Sequence, residues 1–185
     1  LRPIHFSKMK STYSLKTRII IALICTVALY AVFVAGSLTP VEPDKAQEMV
    51  EEFRDLVAGI NSAFDIFLNN FVISLIMIVP ALGVIIGGWI VYNTGLIISS
   101  FASLEGISVV LFLMLPIITI YGVLEFVGYG TMMSEGILLM YAIRKKSIKS
   151  ELKILPVVIA IGAGFIGLGA LIEFSLLTLT QTISI

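Results

Sequence analysis

Long apolar stretches alternate with short polar ones along the whole chain, and their lengths predict membrane-spanning helices. A spanning helix needs about 20 apolar residues. "IIIALICTVALYAVFVAGSL" (19–38) meets that length without a charge, and "FVISLIMIVPALGVIIGGWIVY" (71–92) gives a second span, expected to kink at Pro80. Between residues 96 and 143 only Glu105, Glu125 and Glu135 carry charge. Two spans fit there, 107–124 and 126–143, with a turn near Tyr121 and Gly122, while 93–106 reads as a loop or a re-entrant segment. A last span covers 154–178, after the basic hairpin "RKKSIKSELK". The first apolar run has a basic flank like that of a secretory signal, but it exceeds the ~7–15 residues of a signal core and is expected to be a retained span.

The polar stretch after the first span has a different period. In "PDKAQEMVEEFRDLVAGINSAFDIFLNN", Ala46, Val50, Phe53, Val57, Ile60, Phe64 and Phe67 recur at spacings of four and three. Such a heptad seam predicts one amphipathic helix over about 43–68. Pro43 and Asp44 suit its first turn. Its other face, with Glu48, Glu51, Glu52 and Asp55, would be repelled by anionic lipid, so the seam is expected to pack on its own bundle or, through Val50, Phe53, Val57, Ile60 and Phe64, on a partner.

Composition agrees with an integral membrane protein: 58% of the 185 residues are apolar, 13% are charged, and the mean hydropathy is +1.08. Twelve basic and twelve acidic side chains cancel, which gives no basic excess for a nucleic-acid partner. Locally they do not cancel. Five Lys or Arg precede residue 19 and five more lie in 144–153, whereas 39–70 holds two basic and seven acidic side chains. The positive-inside rule then puts both basic segments in the cytoplasm and the acidic segment outside. That arrangement demands an odd number of spans between residues 70 and 144, hence five in all. The expected fold is an all-α, polytopic transmembrane bundle in the cell membrane, with a cytoplasmic tail (1–18), a single membrane domain (19–180) and an extracytoplasmic C-terminus.

Few residues offer catalytic chemistry. His5 is the one histidine and lies in the tail, and Cys25 is the one cysteine, so zinc sites, Ser-His triads and disulfides have no basis. "GAGFIG" (162–167) matches a dinucleotide pattern but lies inside an apolar span without a strand before it. Its small residues, Ala160 with Gly164 and Ala163 with Gly167, suit close helix contact, as do Gly83 and Gly87. "EEFR" (51–54) faintly resembles paired protease glutamates, but no histidine accompanies it. No enzyme, cofactor or metal is expected.

The remaining candidates are polar groups in or beside apolar segments: Asn69, Asn70, Asn93, Glu105, Glu125, Glu135 and Glu173. A carboxylate within the bilayer costs roughly 2.5–3.5 kcal/mol on insertion scales and requires a partner, a proton or water. With Lys and Arg all outside the expected spans, no cation is available, and a proton shared with Asn or with a carbonyl freed near Pro80 or Pro116 is the expected solution. Glu125 and Glu135, about 15 Å apart along one helix, could line one face.

The succession of Asn69-Asn70, "YNTGL" (92–96), "LP" (115–116), "YGVLEF" (121–126) and "ALIEFSL" (170–176) resembles the stage II sporulation protein M family over about residues 15–180. The family's most specific block, Pro-His-Gly followed shortly by Glu, is met here by Gly122 and Glu125, with Ile120 and Tyr121 at the Pro and His positions. The resemblance implies a helical polytopic protein, in sporulation a scaffold for a wall-degrading complex. Glu125 then stands at the junction of the third and fourth spans, where Gly122 lets helices turn or approach.

Two functions follow. The first is a non-enzymatic scaffold, homo-oligomeric or bound to other membrane or extracytoplasmic proteins through the seam. The second is a transporter or channel component that uses Glu125, Glu135 and Glu173, with Asn70, Asn93 and Gly122, for proton or cation coupling, near the broken-helix signals Pro80, Gly87-Gly88, Asn93 and Pro116.

Overall fold

Apolar runs become helices because a bilayer offers backbone groups no water. In this computed structural model, which describes residues 12–183 with side chains through Leu179, the described residues form eight helices and no strand. The tail residues Arg2, His5, Lys8 and Lys10 lie outside the described residues. Four helices are long and apolar enough to cross a membrane: α1 (Leu15–Ser37), α4 (Leu82–Glu105), α6 (Ile120–Arg144) and α8 (Leu155–Ile183). The others are α2 (Pro43–Ala58), α3 (Ala63–Met77), α5 (Val109–Ile118) and α7 (Ile148–Glu151).

Capping chemistry moves several expected boundaries. The seam helix 43–68 divides at Gly59, because Asn61 and Ser62 start a new helix. The Ser62 hydroxyl accepts from the Asp65 amide at 3.3 Å, and Asp65 Oδ2 accepts from the Ser62 hydroxyl and the Asn61 amide, both at 2.9 Å. The Asn61 amide and Ser62 hydroxyl hold the Asp65 carboxyl below its ordinary pKa. A lowered pKa contributes stability that is present above the ordinary carboxylate range and lost as pH falls through the folded value. The NMR titration of Asp65 is therefore expected to lie below that of an unfolded-chain Asp, and Ser62→Ala to move it upward.

The span expected over 71–92 is instead two helices. Pro80 lacks a donor, α3 ends at Met77, and Ala81 takes φ 64°, a value uncommon for a residue with a Cβ. The chain reverses there, and α3 and α4 form a V whose tip packs on Gly136 of α6. At 15 residues, α3 spans only about 22 Å. Residues 93–105 continue α4 as helix up to Gly106, which closes it in the left-handed conformation at φ 64°.

The two spans expected at 107–124 and 126–143 become one short and one long helix. They join at Thr119, whose hydroxyl accepts from the Gly122 amide at 3.4 Å and donates to the Leu115 carbonyl at 2.6 Å. Gly122 packs directly on the Pro116 backbone, where a side chain would collide. Glu125 thus lies inside α6 and not at a span junction.

α6 is the most enclosed helix and runs antiparallel to both α1 and α8. Leu29, Phe33, Met77 and Ile166 are buried around it together with its own Met132, and Tyr30 stacks on Phe126 with ring centroids 4.0 Å apart. Leu23, Val27, Ile85, Trp89, Leu168 and Leu171 face outward, as expected of a surface that meets lipid tails. The bundle has a basic end, with Arg18 and α7, and an acidic end, where α2 lies over the last turns of α4.

Candidate functional site

The sequence candidates separate into two groups at different depths of the bundle. At the acidic end, α2, α3, α4, α6 and α8, with Pro116 of α5, enclose a cleft of about 870 Å³. The V of α3 and α4 opens it, with Ile73 on one arm and Ile90 and Val91 on the other, and Phe53, Leu56 and Val57 of α2 close one side. Into this largely apolar space project Asn69, Asn70, Thr94, Glu125, Glu173 and Thr178. Asn70 Nδ2 donates to Glu125 Oε1 at 2.7 Å, across 55 positions of sequence. Gly169 of α8 packs against Cγ of Glu125, and Glu173 is one turn further along α8. Both carboxyls therefore enter the cleft from facing helices, and they repel when both are ionised.

Glu135 does not share this space. Ten residues after Glu125 on α6, it faces α1, where Arg18 forms an ion pair with it and another with Glu151 of α7. The expectation that no cation could meet the intramembrane glutamates is overturned here, because α1 begins at Leu15 and carries Arg18 into its first turn. The pairing is deep: Glu135 is 1% exposed, Glu151 0% and Arg18 12%. Glu151 Oε1 also accepts from the Thr12 amide at 2.7 Å. Glu151 was not among the sequence candidates. Its position in a basic hairpin, RKKSIKSELK, is the one sequence signal that marks it, a lone acid among five cations.

The other candidates have local roles. Asn93 Nδ2 donates to the Trp89 carbonyl at 2.7 Å within α4 and does not line the cleft. Gly122 supplies the close contact between α5 and α6. Glu105 is exposed and pairs with Arg54 at 3.4 Å, a contact of little energetic weight at such exposure.

Much of the seam is occupied within the chain itself. Ala46 and Val50 are buried, Phe53 meets Phe101 edge-on with centroids 5.7 Å apart, and Val57 and Ile60 line the cleft. Phe64 is 63% exposed, on the far side of the break at Gly59. Among the described residues, no group of three or more His, Cys, Asp or Glu is arranged to hold a metal ion.

No protein-family model, curated protein or solved structure matches the chain.

Proposed function

We propose that this membrane protein is a non-enzymatic transporter or channel component in which Glu125 and Glu173 bind a proton or cation within the bilayer. The observation that carries the reading is the cleft itself: a space of about 870 Å³ that leads polar groups from four helices to two intramembrane carboxyls. A carboxyl at such depth is costly unless it is paired, protonated or hydrated. Asn70 offers Glu125 a donor that a bound cation or proton can replace. The broken helix pair supplies a matching opening, since α3 and α4 diverge from their break at Pro80 and Ala81 and line the site with Asn69, Asn70 and Ile73 on one arm and Ile90, Val91 and Thr94 on the other.

Kinship with the stage II sporulation protein M family is part of the same reading. Residues from every segment that carries the resemblance line the cleft: Asn69 and Asn70, Thr94, Pro116, Glu125 and Phe126, and Glu173 and Phe174. The five basic residues of 144–153 and the acidic α2 lie at opposite ends, which supports placing the basic end in the cytoplasm of a cell-membrane protein.

The test is flux in proteoliposomes. Proton flux above that of empty liposomes is expected, falling to background in Glu125→Gln; flux equal to empty liposomes at every pH from 5 to 9 would refute the reading. A second reading, assembly through α2, draws on the exposed acidic face of Glu48, Glu51, Glu52 and Asp55 together with Phe64.

A further inference from the structure

The cleft is far larger than a proton or a bare metal ion requires. A water molecule occupies about 30 Å³ of liquid, and clefts of about 300–1,000 Å³ are the size that takes small organic ligands. Its walls are also wrong for an inorganic cation, which takes some six oxygen ligands in place of its hydration shell. Here carboxyl and amide oxygens gather at one place, and the greater part of the lining is Ile, Leu, Val and aromatic carbon. Phe126, Tyr129 and Phe174 stand next to the carboxyls, and aromatic faces attract organic cations as well as apolar groups.

Charge selects further. Among the described residues no Lys, Arg or His lines the cleft, and the other titratable groups facing Glu125 are the tyrosines Tyr30, Tyr121 and Tyr129. An anion would meet two carboxyls and no counter-charge. A neutral lipid tail would leave them buried without compensation.

We infer that the cleft binds a hydrophobic organic monocation, with its charge seated on Glu125 and Glu173 and its apolar body against Phe53, Leu56, Ile73 and Phe174. The inference rests on the proposed transport reading for the site and adds the class of its substrate. Binding displaces the Asn70 amide from Glu125, and one proton carried by the two carboxyls leaves to solvent as the monocation enters. The site therefore keeps its net charge through exchange.

The experiment is calorimetric titration of the full chain in nanodiscs, with empty nanodiscs as the blank. The probes are tetraphenylphosphonium, its uncharged analogue triphenylphosphine oxide, and sodium. Saturable binding of tetraphenylphosphonium is expected, with the phosphine oxide weaker by roughly tenfold or more. Glu125→Gln and Glu173→Gln should each weaken the cation by a similar factor. Ile90→Trp, which fills the apolar part and leaves the carboxyls in place, should also weaken it; this separates loss of the site from loss of the fold. Absence of saturable cation binding, equal binding of the neutral analogue, or displacement of the cation by millimolar sodium would each overturn the inference. Proton flux without organic-cation binding would leave the transport reading standing alone, whereas cation binding without flux would remove transport and keep the site.

Discussion

Arg18→Met is expected to destabilise the bundle by about 3–5 kcal/mol, the cost of leaving buried carboxylates without their cation. Arg18 ties the first turn of α1 to both α6 and α7, and Glu135 and Glu151 are almost wholly removed from solvent. Methionine keeps the apolar stem as far as the position of Nε, so what is lost is the guanidinium head. Thermal unfolding in detergent, followed by far-UV circular dichroism, measures it. The companion variant Arg18→Met/Glu135→Leu/Glu151→Gln removes the charges together and keeps an acceptor for the Thr12 amide. It should recover most of the loss, because apolar replacement of a buried ionic cluster is often neutral or better. An unchanged melting point in the single variant would mean that the pairs contribute nothing to the fold.

The same residue marks where sequence reading stops. Hydropathy placed Arg18 just before the first span, and nothing in the local pattern ties it to a glutamate 117 positions away. That pairing depends on α1 and α6 being antiparallel neighbours, a tertiary fact. The all-helical fold was legible, and so were the apolar stretches that became α1, α4, α6 and α8. Helix breaks were less so. Pro80 was read as a kink, but hydropathy does not register whether neighbouring residues restore the lost hydrogen bond; here the chain turns back through Ala81. The division at Gly59 had a signal that the heptad spacing hid, since Ser62 followed by Asp65 three positions later is a capping pattern. Thr119 is subtler: one hydroxyl caps α6 in an unbroken apolar run, and hydrophobic periodicity cannot see it. Of the candidate site, Asn70 and Glu125 bond and Glu173 shares their cleft, while Glu135, Asn93 and Gly122 take up other duties. Polar residues in an apolar run announce that a partner is needed; only the packing says which one.

Gly95→Val is expected to cost at least about 3 kcal/mol, at the upper limit of ordinary overpacking, because what surrounds Gly95 is backbone and cannot move aside. Gly95 of α4 faces Gly36 of α1 at the acidic end. A Cβ at Gly95 would stand 2.7 Å from the Ser37 nitrogen and 2.9 Å from the Gly36 Cα, and it would also meet the Phe33 carbonyl. Close approach of two glycines is a common way for helices to associate in lipid, where no hydrophobic drive between them exists. Two hydrogen bonds depend on that approach: Ser99 Oγ donates to the Thr39 carbonyl at 2.8 Å, and the hydroxyls of Thr39 and Tyr92 lie 3.0 Å apart. Separating α1 from α4 loosens both. Gly88 and Gly164 provide the control, since a Cβ at either meets nothing within 4 Å. Gly88→Ala and Gly164→Ala should leave the stability within about 0.5 kcal/mol of wild type and the melting point close to it. A melting point for Gly95→Val equal to those controls would show that α1 and α4 are not in backbone contact. A large loss confined to Gly95→Val ties the stability of the acidic end, and so the shape of the cleft beneath α2, to this one crossing.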